Sequence, residues 1–188
     1  QYVESKIDIQ ELINYMIAES YYGNTDLGNI RYFRDSNNGK WRFMLYDLDW
    51  SMWSSNISMS YPVLNKNIPA VTYLYSTINL TRRLYQNPKF KDLYLTTLAY
   101  HLKNTFTIER MNSIVDKQAS LIESEMPYHI ERWKASDEVS SIDNWKRNIE
   151  SFKNMIANRY NTVLGMLKSD FNLTDEEYNK YFSEVGLW

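Results

Sequence analysis

From Val71 almost to its end the chain carries one helical signal after another, and this restricts the fold more than any other feature. Apolar residues recur at helical spacing: Tyr73, Leu74, Ile78 and Tyr85 in one stretch, Trp145, Ile149, Phe152, Ile156 and Tyr160 in another. Helix-start signals divide the run. Asn87-Pro88 is one, Thr107 with Arg110 beyond it is a second, and Thr174 before Asp175, Glu176 and Glu177 is an N-cap with acid in the first turn. The pattern predicts helices near 72–86, 88–104, 108–125, 127–134, 139–169 and 174–184. Most of the many Tyr and Trp then become packing residues with a polar tip.

The first 53 residues read differently. Asp8 caps a helix whose apolar positions are Ile9, Leu12, Ile13, Met16 and Ile17, with Glu11 three residues on and Gly23 as the stop after Tyr22. A polar loop, GNTDLGN, follows. IRYFR and KWRFMLY then read as two strands around a DSNNG turn. Between Ser51 and Pro69 the chain is polar and irregular, and a loop of that length inside a compact domain is functional or mobile. The expected fold class is α+β and mostly α-helical. A single domain spans 1–188, with a site-bearing helix and hairpin in 1–53 and a helical bundle in 71–188.

Composition excludes several functions. With 188 residues, 44% of them apolar, the chain is long enough for one sizeable core and too apolar for disorder. A net charge of −2 leaves no broad basic field for nucleic acid. No apolar run is long enough to span a membrane. The absence of cysteine removes disulfides, thiolate metal sites and a cysteine nucleophile. His101 and His129 stand alone, which makes a weak case for zinc, and His101 sits among helix-packing residues as a structural group. Neither Gly-x-Ser-x-Gly nor His-Glu-x-x-His occurs.

The second strand runs straight into Asp47-Leu48-Asp49, in the stretch WRFMLYDLDWSMW. Carboxylates avoid apolar surroundings unless something neutralises them. An antiparallel hairpin brings its open ends together. The loop bearing Asn24, Asp26 and Asn29 should therefore meet the turn bearing Asp47 and Asp49. Three carboxylates and two carboxamides form a hard-oxygen set that suits Mg2+, Mn2+ or Ca2+ rather than zinc. The competing reading is plain turn and cap chemistry, which uses the same residue types. Trp50 and Trp53 flank the Asp pair and stand apart from the core aromatics, as the lining of a substrate cleft or a sugar-stacking face. The order Asp, Asn, hairpin, Asp is also that of a protein kinase site.

These residues carry a family resemblance. IDIQELINYMIAESYYGNTDLGNIRYFRDSNNGKWRFMLYDLDWSMW resembles the core of the spore coat protein H (CotH) kinase-like family. The shared features are an Ile-Asp-hydrophobic helix, an Asn-x-Asp loop, a Tyr-rich hairpin with Gly-Lys-Trp at its turn, and an Asp-hydrophobic-Asp signature. LYQNPKFKDLYLTTLAYHLKNTFTIERM and IERWKASDEVSSIDNWKRNIESFKNMIANR resemble the segments that follow, so the likeness covers nearly the whole chain. It implies an atypical protein-kinase-like C-terminal lobe that moves the γ-phosphoryl of ATP to Ser or Thr of a protein acceptor, with Mg2+ or Mn2+. On this resemblance Asp26 is the catalytic residue that orients or deprotonates the acceptor hydroxyl. Asn29, Asp47 and Asp49 are the metal-binding set, one of the two aspartates being the ligand proper. Asn24 and Trp50 fall on the cofactor-binding side.

The sequence departs from the family at Tyr46, where Trp is usual, and at SMWSS, which lacks the usual Phe-Gly. Its Asp-to-Asn loop is also shorter than is common. These changes bear on activity rather than fold. No Gly-rich loop precedes the first helix, and Lys6 is the only lysine before Asp26. The expectation is a C-terminal lobe, inactive without its N-terminal lobe. The resemblance also implies an extracytoplasmic setting in a bacterium (secreted, cell-surface or spore-coat), with a spore coat protein as one acceptor. The alternative is a noncatalytic binding or scaffolding module of a bacterial surface, spore coat or polysaccharide-degrading assembly.

Overall fold

A computed structural model describes residues 2–24, 30–37, 39–60, 74–133 and 139–186, with 74–78 described by backbone alone. The elements in order are α1 (Tyr2–Lys6), α2 (Ile9–Tyr22), β1 (Arg31–Phe33), β2 (Arg42–Met44), α3 (Leu74–Tyr85), α4 (Pro88–Asn104), α5 (Ile108–Ile122), α6 (Met126–Trp133), α7 (Ile142–Asp170) and α8 (Asp175–Phe182). This is the mostly helical α+β architecture, with one hairpin, that the sequence predicts.

Helix α2 starts where Asp8 accepts from the Glu11 N–H, and it stops where Gly23 turns left-handed at φ 61° and ψ 39°. Its stripe of Leu12, Ile13, Met16 and Ile17 is buried in the main core. Leu95, Leu98 and Leu102 of α4, Tyr160, Val163 and Leu167 of α7, and Phe182 of α8 close around it. Each such side chain contributes roughly 1.5–3 kcal/mol by leaving water.

The later helices begin at their caps. Asn87 accepts from Lys89 and Phe90 with Pro88 at the first turn, Thr107 accepts from Arg110, and Thr174 forms a reciprocal capping box with Glu177. Helix α7 begins at Ile142 rather than 139, because Ser141 is extended and caps the Asn144 N–H. A second small cluster of Met126, Ile130 and Trp145 joins α6 to the start of α7. Between the two clusters Phe152 lies 44% exposed, so it is not the core residue its spacing suggests. The 29-residue α7 outruns the main core.

The hairpin is antiparallel with Arg31 opposite Met44, Tyr32 opposite Phe43 and Phe33 opposite Arg42. The Asp35 carboxylate accepts from the Asn37 N–H in its turn. Two short strands alone are marginal in water. Here they are fastened to α2. Trp41 donates to Lys6 O over 2.8 Å and accepts from Asp8 N over 2.9 Å. Arg42 pairs with Asp8 at 3.4 Å, and the Phe43 ring rests 5.3 Å from that of Tyr15.

Candidate functional site

Strand β2 travels along α2 in the same direction. Trp41 sits at the start of the helix, Phe43 lies against Tyr15, and beyond the strand Met52 donates to Tyr22 O over 2.8 Å. Asp47-Leu48-Asp49 is thus held between two anchors on one helix. Asp47 is left-handed at φ 59°, a conformation that a short polar side chain tolerates better than most. Ser51 donates to Leu48 O over 3.1 Å and closes the turn. Both carboxylates are exposed. Beside them the Arg31 guanidinium stacks 4.8 Å from the Tyr46 ring centre.

The other half of the site starts at the C-terminal end of α2. Asn24 donates its N–H to Glu19 O over 3.0 Å and its Nδ2 to Glu19 Oε2 over 2.8 Å. Both side chains are 3% exposed. With its nitrogen on Glu19, Asn24 turns its Oδ1 the other way. The Tyr15 hydroxyl also bonds to Glu19. Burial first, and then the Glu19 charge and this hydrogen bond, push the phenol above its ordinary range.

Asp26 and Asn29, which the sequence expects to meet the Asp47 turn, lie outside the described residues. Among the described residues no group of three or more His, Asp or Glu is gathered as a metal site. Trp50 and Trp53 stay in solvent, 59% and 70% exposed, with ring centres 6.3 Å apart. His101 is half-buried, with Nε2 3.1 Å from Asn14 Oδ1 and Nδ1 2.9 Å from Thr105 Oγ1. That is the structural role its neighbours predict.

Two charged residues of this region were not singled out from sequence. Glu19 is one. The other is Arg159 of α7, which has no exposed surface. Its Nε donates to Tyr21 O and its Nη2 to Ser20 O, each over 2.7 Å. Its Nη1 donates to Ser55 O over 2.7 Å and to Ile57 O over 2.5 Å. Burial lowers its pKa to about 10, against the opposing pull of Tyr21 and Asp170. The available signal was a charge on an apolar stripe: Glu19 falls three residues after Met16, and Arg159 three after Ile156.

The sequence profile of the family described as CotH kinase protein matches residues 1–163. The chain belongs to that family. No curated protein and no solved structure matches it. The CotH span contains every candidate residue, Glu19 and Arg159 included, and ends within α7. A CotH-like, kinase-related function follows. None of the described helices is long and apolar enough to cross a membrane.

The donor chemistry fits the divalent ion that CotH membership implies. Asp47 and Asp49 present exposed carboxylate oxygens, the hard donors such an ion prefers, and the chain has no cysteine to attract a softer metal.

Proposed function

We propose that this chain forms the catalytic and metal-binding side of a CotH-type protein kinase, acting on Ser or Thr hydroxyls of a protein with ATP as donor. The observation that carries this reading is the left-handed Asp47 turn, fastened to α2 at Phe43 and Met52 inside the CotH span. Non-glycine residues held in rare backbone regions gather at functional sites. The turn thus favours Asp47 over Asp49 as the metal ligand proper.

In this mechanism Asp26 orients the acceptor hydroxyl and takes its proton. The hydroxyl oxygen forms a bond to the γ-phosphorus as the bond from that phosphorus to the β-bridging oxygen breaks. ADP leaves with the released electron pair. Asn29, Asp47 and Asp49 would hold Mg2+ or Mn2+, which when bound neutralises charge on the phosphates. Asn24, fixed by Glu19, supports the loop that carries Asp26 and Asn29. Trp50 offers its face to the nucleotide or the acceptor.

The five glycines stand apart at 23, 28, 39, 165 and 186, so the sequence has no Gly-rich run. Part of this proposal is that these 188 residues by themselves turn over little or no ATP, because phosphoryl transfer also needs a loop that covers the donor phosphates. An extracytoplasmic setting, with a spore coat protein as acceptor, is part of the same reading. The exposed Trp50–Trp53 pair favours a second reading, a noncatalytic module that stacks on sugars.

The test is calorimetric titration with Mn2+ and then ATP, beside an Asp47→Asn/Asp49→Asn double variant. Metal binding that disappears in the double variant supports the kinase reading. Quenching of Trp fluorescence by oligosaccharides, with no response to Mn2+ or ATP, supports the module instead.

A further inference from the structure

The guanidinium of Arg159 has five N–H donors, and each has a partner: the carbonyls of Ser20, Tyr21, Ser55 and Ile57, and the Met59 thioether at 3.5 Å. Two of these carbonyls belong to the last turn of α2, where the helix leaves acceptors unsatisfied and carries partial negative charge. The other two belong to the loop that follows the Asp47 turn. That loop lies over the helix end, where Ile57 meets Gly23 so closely that a Cβ there would come within 3.0 Å of its Cδ1. A second fastener comes from the same helix: Asp170 Oδ2 accepts from Met59 N over 2.6 Å.

The two carbonyl pairs flank the site. Ser20 and Tyr21 lead through Asn24 into residues 25–29, and Ser55 and Ile57 follow Asp47 and Asp49. We infer that Arg159 is a positioning residue that holds both site-bearing segments in one register from α7, 138 residues beyond Tyr21. This rests on the kinase reading for the identity of the site, but the clamp itself is independent of it. Lysine cannot replace the arginine, because its three donors cannot reach four carbonyls spread over two segments.

Arg159→Lys is compared with Leu98→Ala, a truncation in the α4 part of the core that supplies general destabilisation. Mn2+ affinity is measured by calorimetry and amide exchange by mass spectrometry. Arg159→Lys should bind Mn2+ about tenfold more weakly or worse, as when an outer partner of a metal site is lost, while Leu98→Ala stays within about threefold. Exchange should quicken at Asn24, Met52 and Met59 in Arg159→Lys and not in Leu98→Ala. An affinity loss no greater than that of Leu98→Ala overturns the inference. If the parent binds no Mn2+, the metal reading fails, and exchange alone decides: unchanged rates at those amides overturn the clamp, and faster rates support it. Should Arg159→Lys not fold, Asp170→Ala releases the second fastener, and unchanged exchange at Met59 and Met52 then counts against the inference.

Discussion

The Asn24 carboxamide donates to the Glu19 carboxylate over 2.8 Å, and both groups are buried at the end of α2. The Tyr15 hydroxyl approaches the same carboxylate. Removing the acceptor strands two buried donors, each costing about 1–3 kcal/mol. Glu19→Ala should therefore lose about 3 kcal/mol in urea denaturation. Glu19→Gln keeps one oxygen and should lose roughly 1 kcal/mol. Adding Tyr15→Phe to Glu19→Ala should recover part of the loss, because one stranded donor goes with it. Strict additivity of the two changes would show that the residues do not interact.

Gly23 combines a φ of 61° with a neighbour, Ile57, already in its way. An L-residue in that region pays about 1–2 kcal/mol before any clash. Gly23→Ala should lower stability by more than this, and trimming Ile57 to Ala in the same chain should relieve only the steric part. Thermal melts of the single and double variants separate the two terms. A Gly23→Ala protein as stable as the parent would mean that the cap is not held as described.

Local chemistry made most of the frame readable. Asp8, Asn87, Thr107 and Thr174 cap the helices they announce, and Gly23 stops α2. The hairpin was legible from its turn, but its strands pair over only three residues each because Trp41 turns to Ile7 for its partner. The Asp47 turn was visible as an anomaly, two carboxylates after an apolar run. Glu19 and Arg159 were not visible. A charged residue on a helix is solvated by default; what overrides the default is, for Glu19, the nearby Asn24 and Tyr15, and for Arg159 a set of carbonyls from 102 to 139 residues away. The apolar stripe marks both positions, but no local pattern encodes the distant partners of Arg159.

His101 gives a pH dependence with a fixed sign. Burial holds its imidazole below the ordinary value of 6.5, and its two nitrogens face Asn14 and Thr105, neither of which is charged. The unfolded chain therefore takes up a proton at higher pH than the folded one. This contribution to stability is whole above pH 6.5, shrinks as pH falls below it, and levels off once the folded imidazole also protonates. Urea midpoints between pH 7.5 and 5 should fall more in the parent than in His101→Gln. Parallel curves would remove His101 as the cause.

The Asp47 turn separates backbone need from ligand need. Asn tolerates the left-handed region as Asp does, so Asp47→Asn should stay within about 0.5 kcal/mol of the parent in stability. Asp47→Ala should lose about 1–2 kcal/mol, because alanine gains nothing at φ 59°. Mn2+ affinity should follow charge instead. It should drop in both Asp47 variants by at least the roughly 10–100-fold seen when even an outer partner of a metal site is removed. Asp49, in the ordinary part of the turn, should matter less, with Asp49→Asn weakening binding by a smaller factor than Asp47→Asn does. Calorimetry on the three variants decides the assignment. If Asp49→Asn abolishes binding while Asp47→Asn leaves it intact, the ligand is Asp49, and the left-handed turn at Asp47 serves only to aim its neighbour.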